Sequence, residues 1–93
     1  MKPNTHLQIE NKIKELLVSE LNVNPAIVQG TDSTTPLIGR GIGLDSVEAM
    51  ALLVSLEEEF GLAIPDNELT VDLFKSVSTL ADYITHALLE RTT

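Results

Sequence analysis

Apolar positions recur at helical spacing in two long stretches of this chain and close a third. Ile9, Ile13, Leu16, Leu17 and Leu21 make one face of a first helix, opened by a capping box at Thr5-His6-Leu7-Gln8 and ending near Asn22 to Pro25. From Ser46 to Phe60, rotation by roughly 100° per residue puts Ala49, Leu52, Leu53, Leu56 and Phe60 on one side of a second helix. Gly61 follows as its C-terminal cap. Asp66 or Thr70 opens a brief third helix ending near Phe74. Ser76 then caps a last helix whose Val77, Leu80, Ala81, Ile84 and Leu88 face inward, with Tyr83 beside them. No window alternates with the period of a strand. The pattern predicts an all-α domain spanning residues 1–93: a four-helix bundle of three longer helices, one short one and a long loop before the second helix.

That loop carries Pro25, Gly30, Pro36, Gly39, Gly41 and Gly43 around a Thr31-Asp32-Ser33-Thr34-Thr35 cluster, which leaves no room for a long regular element. A loop of this length in so small a domain points to function, and Ile27, Val28, Leu37, Ile38 and Ile42 are expected to pin it to the core. Gly39-Arg40-Gly41-Ile42-Gly43 follows no apolar strand and lacks the Lys-Ser/Thr of a phosphate-binding loop. Its expected role is backbone freedom for a sharp turn that leaves Ser46 uncrowded.

The outward side of the second helix is less polar than a solvated face. Val47, Ala51 and Val54 lie on it, with Met50 at its edge and Glu48, Glu57 and Glu58 around them. An apolar strip with an acidic rim reads as a docking surface for another protein. At its start, Ser46 presents a hydroxyl in the first helical turn, where Asp45 caps the helix and the dipole favours an anion such as an esterified phosphate.

Charge sharpens this picture. The net charge is −8. In residues 1–40, Glu10, Glu15, Glu20 and Asp32 balance Lys2, Lys12, Lys14 and Arg40; in 75–93, Asp82 and Glu90 balance Lys75 and Arg91. The excess therefore lies wholly in residues 41–74, in Asp45, Glu48, Glu57, Glu58, Glu59, Asp66, Glu68 and Asp72. Such a field repels nucleic acid and anionic lipid and steers basic protein surfaces toward Ser46.

Composition excludes other chemistry. With no cysteine there is neither disulfide nor thiolate metal site. The N-terminal residues contain no apolar run of the secretory kind, and no apolar stretch approaches the roughly 20 residues of a membrane span, so a cytoplasmic protein without stable membrane insertion is expected. A hydrolase built on Ser46 needs a base and a nucleophile elbow. The histidines are His6, early in the first helix, and His86, late in the last, both expected to be exposed helix residues. Glu57-Glu58-Glu59 fan around a helix and cannot converge on a metal, and Asp66, Glu68 and Asp72 lack the calcium-loop spacing. No catalytic residue and no metal site are expected.

The run Gly43-Leu44-Asp45-Ser46-Val47-Glu48, continuing through Leu52, Leu53, Leu56 and Glu57-Glu58-Glu59-Phe60-Gly61 to Ile64-Pro65-Asp66, resembles the acyl carrier protein family, as does Val77-Ser78-Thr79-Leu80-Ala81-Asp82-Tyr83-Ile84. The resemblance implies a four-helix carrier whose serine, here Ser46, receives 4′-phosphopantetheine from coenzyme A through a separate phosphopantetheinyl transferase using Mg²⁺; a monomer is expected because no further face is conspicuously apolar. The thiol of that arm then holds acyl groups as thioesters for the enzymes that load and process them. By the same resemblance, Asp45 helps present Ser46 and the metal to the transferase. Val47, Met50, Ala51 and Val54 supply apolar contact to partners, and Glu48, Glu57 and Glu58 meet their basic residues. Ala51, where many fatty-acid carriers have an acid, Val47, where they have leucine or methionine, and the Pro36–Gly43 loop resemble freestanding carriers of specialised pathways. The competing reading is an adaptor that is not pantetheinylated and docks basic proteins through the acidic second helix.

Overall fold

The computed structural model describes residues 6–91. Among the described residues there are four α-helices: α1 His6–Ser19, α2 Pro25–Gln29, α3 Ser46–Phe60 and α4 Val77–Arg91. Two 3₁₀ turns, Asp66–Glu68 and Val71–Phe74, lie between α3 and α4. Thr5, and with it the expected capping box, lies outside the described residues.

The inward faces of the long helices are those the periodicity predicts. Ile9, Ile13, Leu16 and Leu17 of α1, Ala49, Leu52, Leu53 and Leu56 of α3, and Val77, Leu80, Ala81, Ile84 and Leu88 of α4 are all buried in one cluster. Tyr83 and Phe60 pack half-buried against its edge. α1 packs mainly on α4 and secondarily on α3, while the second 3₁₀ turn packs on α4.

Two local features differ from expectation. The stretch expected to be one long loop contains α2, whose start is written in Asn24-Pro25: the Asn24 side-chain oxygen accepts the Ala26 N–H at 2.9 Å, and Pro25 supplies a pre-set φ at the first helical position. Only five residues long, α2 buries Val28 but leaves Ile27 48% exposed, so Ile27 is not a core anchor. The short helix expected to end near Phe74 is instead the pair of 3₁₀ turns, neither with a side-chain cap. Pro65 precedes the first, and each turn is too brief to repay helix nucleation.

Residues 31–44 are ordered by their hydrogen bonds. Asp32 accepts from the Thr34 N–H at 2.9 Å and the Thr34 hydroxyl at 2.7 Å, bonds that hold its carboxyl below the usual range. The carbonyls of Thr35 and Ser33 accept the Val77 and Ser78 N–H groups at 3.1 and 2.8 Å, satisfying donors at the open end of α4. Leu37 donates to the Phe74 carbonyl at 3.1 Å, and an isolated parallel bridge joins Ile38 to Leu44. Gly39, Gly41 and Gly43 all have positive φ, and at Gly41 a Cβ would also stand 2.4 Å from the Pro36 carbonyl oxygen. Gly41 therefore meets both demands that only glycine satisfies.

His6 is half-buried, not exposed as expected. Its ring lies between Glu10, 3.3 Å from Nδ1, and Asp82, 2.8 Å from Nε2. Glu10, only 4% exposed, also accepts the Ser33 hydroxyl at 2.9 Å, so one cluster ties α1, the loop and α4 together. His86 is exposed and donates from Nδ1 to the Asp82 carbonyl at 2.8 Å.

Candidate functional site

Ser46 is the first residue of α3, and the turn it opens is closed in both directions. The Asp45 carboxylate accepts the Glu48 N–H at 2.8 Å, and the Glu48 carboxylate accepts the Asp45 N–H at 3.1 Å. This reciprocal box was legible in Asp45-x-x-Glu48, although the sequence reading took Glu48 only for a rim charge. It changes the electrostatics of the site. Two carboxylates already complement the positive end of α3, so the helix dipole offers a further anion there less than the sequence alone suggests. Ser46 itself is exposed, and the backbone beneath it is held rigid by the box.

Beside Ser46 the fold opens an apolar pocket of about 200 Å³. Ser46, Ala49 and Met50 line it from α3, Ile38 from the loop, and Leu69, Thr70, Val71 and Phe74 from the segment before α4. Phe74 and Ala49, 6% and 2% exposed, form its floor; the exposed Ser46, Thr70 and Val71 form its rim. The bond from Leu37 to the Phe74 carbonyl holds two walls in register. Sequence reasoning found none of the pocket residues outside α3. Ile38 and residues 69–74 are far from Ser46 along the chain and carry no local signal of meeting it.

The outward face of α3 is apolar as expected: Val47 is 77% exposed, Val54 48% and Met50 44%, and Ala51 is exposed beside them. Val71, 75% exposed, also lines the pocket with Met50 and so extends this apolar surface across the rim. The three rim acids differ in what they do. Glu58 is exposed, whereas Glu48 serves the capping box and Glu57, half-buried, accepts the Ile64 N–H at 2.7 Å. Glu57 thereby anchors the connection that leaves α3 at its left-handed Gly61 cap.

Neither histidine supplies a base for Ser46. The described contacts of His6 are with Glu10, Ser78 and Asp82, and that of His86 is with Asp82. Tyr83, at the other end of α3, donates its hydroxyl to Glu68, and burial followed by that carboxylate pushes its own pKa up to about 12. Among the described residues, no helix is long and apolar enough to cross a membrane.

Comparison with known proteins agrees with this geometry. Residues 11–84 match the family described as "Phosphopantetheine attachment site". The chain is 32% identical over 78 residues to a protein of Bdellovibrio bacteriovorus named "Acyl carrier protein", covering 84% of this chain and 92% of that one. The match runs through the whole of α3, the pocket-lining segment and most of α4. With its cofactor thereby identified as phosphopantetheine, this chain belongs to the acyl carrier protein family.

Proposed function

We propose that Ser46 is the attachment point of 4′-phosphopantetheine and that the protein shuttles acyl groups, held as thioesters on that arm, between enzymes of fatty-acid, polyketide or related lipid biosynthesis. The observation that carries the reading is the exposed Ser46 hydroxyl on a doubly capped first turn, directly beside the apolar pocket. In the attachment step the Ser46 hydroxyl gives its proton to a phosphopantetheinyl transferase. Its oxygen bonds to the phosphorus of the coenzyme A pyrophosphate that carries the pantetheine, and the bond from that phosphorus to the bridging oxygen breaks to release adenosine 3′,5′-bisphosphate. The base and the metal belong to the transferase, so a chain with no base beside Ser46 is sufficient. The arm supplies a thiol that forms the thioester. The Asp45–Glu48 box keeps Ser46 at a fixed height and orientation for each partner, and the pocket offers the acyl chain an alternative to water.

Val47, Met50, Ala51 and Val54 would provide the apolar contact to successive enzymes, with Glu58 foremost among the rim acids for their Lys and Arg side chains. Exposed pairs of this kind are worth only about 0.2–1 kcal/mol each and weaken with salt, which suits rapid exchange between partners. The protein works in this reading as a cytoplasmic monomer.

Intact-mass measurement tests the assignment. After incubation with coenzyme A, Mg²⁺ and a broad-specificity phosphopantetheinyl transferase, one phosphopantetheine-sized gain is expected, absent from Ser46→Ala. No gain with several transferases would overturn the carrier reading in favour of an adaptor acting through α3; a gain retained by Ser46→Ala would move the site.

A further inference from the structure

Resting on the carrier reading, the turn that leads into α3 supplies a counter-ion for the arm: we infer that Arg40 is a positioning residue that binds the phosphate joining phosphopantetheine to Ser46. That phosphate is an anion set beside Asp45 and Glu48. Their carboxylates already complement the positive end of α3 and are hydrogen-bonded within their own box, so they offer a further negative charge only repulsion. Six more acids, Glu57, Glu58, Glu59, Asp66, Glu68 and Asp72, deepen the same field. Between Lys14 and Lys75 the chain carries a single base, Arg40.

The fold ties this base to the start of α3 and leaves it uncommitted. Residues 36–44 form a closed turn. The Pro36 carbonyl accepts the Ile42 N–H at 3.0 Å, the Leu37 carbonyl accepts the Leu44 N–H at 2.9 Å, and the Gly39 N–H donates to the Leu44 carbonyl at 3.4 Å. Leu37, Ile42 and Leu44 are buried and anchor the turn. Arg40 is exposed midway along it, between Gly39 and Gly41, whose φ values of +72° and +83° fix the backbone on either side. From the Gly39–Leu44 contact, one residue leads to Arg40 and two lead to Ser46, so at most about 10 Å of chain separates them beyond that contact. An extended arginine side chain covers much of this span, and opposite charges stay coupled over roughly 8–10 Å at ordinary ionic strength. Among the described residues the ion pairs are those of His6 and Lys12, and none engages Arg40. Its planar fork also suits two phosphate oxygens at once, as a lysine ammonium does not. Lys75, which follows the pocket floor at Phe74, is the rival cation, but its own N–H is bonded to the Asp72 carbonyl at 3.2 Å and not to the residues that precede Ser46. Paired with Arg40, the phosphate keeps the root of the arm toward the turn and leaves the acid rim of α3 to the bases of a partner.

The test uses the full chain as holo-protein, made with coenzyme A and a broad-specificity transferase and verified by mass, and reads both members of the pair by NMR. The chain has two arginines, Arg40 and Arg91, so the Arg40 Nε–H signal is identified by its loss in Arg40→Gln. On going from apo- to holo-protein at low ionic strength, exchange of that proton with water should slow by roughly 1.4- to fivefold, the factor of an exposed ion pair, and the slowing should vanish near 1 M salt. The phosphorus resonance of the arm should move further with salt in the wild type and in Lys75→Gln than in Arg40→Gln. Arg40→Lys should keep part of that response, because the charge remains and the fork does not. Since Arg40 is exposed, the unfolding midpoint of Arg40→Gln should match that of the wild type, which separates loss of the pair from loss of the fold. An Arg40 Nε–H unaffected by attachment, or a phosphorus response equal in Arg40→Gln and wild type, would overturn the inference while leaving the carrier reading intact, because the mass gain would still be present. Loss of the response in Lys75→Gln would overturn it in favour of Lys75. Failure of every transferase to add mass would overturn the carrier reading itself.

Discussion

The two faces of α3 are built from nearly the same side chains and serve opposite ends. Toward the core, Ala49, Leu52, Leu53 and Leu56 are at most 2% exposed; outward, Val47, Met50 and Val54 are between 44% and 77% exposed. Hydrophobicity alone does not separate them, since one helix carries both sets fifteen residues long. What separates them is cover. α1 and the rest of the core close over the first face. The second is left open beside Ser46, where an apolar side chain costs little stability and, in the proposed function, provides the contact to partners.

This contrast can be broken by substitution. Leu56→Ala, at the centre of the covered face, should lower unfolding free energy by about 2–5 kcal/mol in denaturant titrations, through lost transfer energy and the cavity left behind. Its rate of phosphopantetheine transfer under folding conditions should change little. If the loss is below about 1 kcal/mol, the burial drawn for the inner face is wrong.

Glu57→Ala comes next, at about 1.5–3 kcal/mol, because a half-buried carboxylate that accepts the Ile64 N–H leaves that donor without its charged partner. Glu58→Ala, one residue on and exposed, should leave stability within about 0.5 kcal/mol of wild type. The pair thus separates an acid that holds the fold from an exposed one that the proposed function assigns to partners. For Glu58→Ala the transferase KM should rise about 1.4- to fivefold at low ionic strength, and the difference should vanish near 1 M salt. A rise that ignores salt would contradict an electrostatic role.

Asp45→Ala should cost about 1 kcal/mol by removing the cap of α3. On the outer face, Val54→Ala should be the mildest change in stability, within about 0.5 kcal/mol, yet raise the transferase KM roughly three- to tenfold through lost apolar contact. Equal stability losses for Val54→Ala and Leu56→Ala would abolish the distinction between the faces.

A last effect lies at the far end of α3. Tyr83 holds its proton up to about 12, against an ordinary value of 10.0, chiefly because of burial and then the Glu68 carboxylate. The folded state therefore binds this proton more tightly than the unfolded chain, so the associated stabilisation is complete below pH 10 and lost between pH 10 and 12. Tyrosinate absorbance should rise with a midpoint near pH 12 while the protein is folded, and Tyr83 is the chain's single tyrosine, so the signal is unambiguous. A midpoint at 10 would show that the ring is not packed as described.

Much of the site was written locally. The 3.6-residue spacing of Leu52, Leu53 and Leu56, the cap at Asp45 and the stop at Gly61 each involve residues within one or two turns, so they are decided before any tertiary contact forms. The same holds for Ser46 at the exposed start of α3 and for the unbalanced acids of residues 41–74. Asn24-Pro25 and Asp45-x-x-Glu48 also carried local signals, of α2 and of the capping box.

The pocket could not be read in this way. Its floor is Phe74, its side wall Ile38, and they meet Ser46 only because Leu37 pairs with the Phe74 carbonyl and the Ser33 and Thr35 carbonyls receive the first N–H groups of α4. Nor does position alone tell that His6 lies between Glu10 and Asp82, or that Glu57 turns to Ile64 while Glu58 faces water. By itself the sequence determined the three long helices, the place of Ser46 at the start of α3 and the sign of the charge around it, because those depend on neighbours along the chain. Only the tertiary structure decided which acids are already engaged and what shape lies beside Ser46, because those depend on which distant segments pack together.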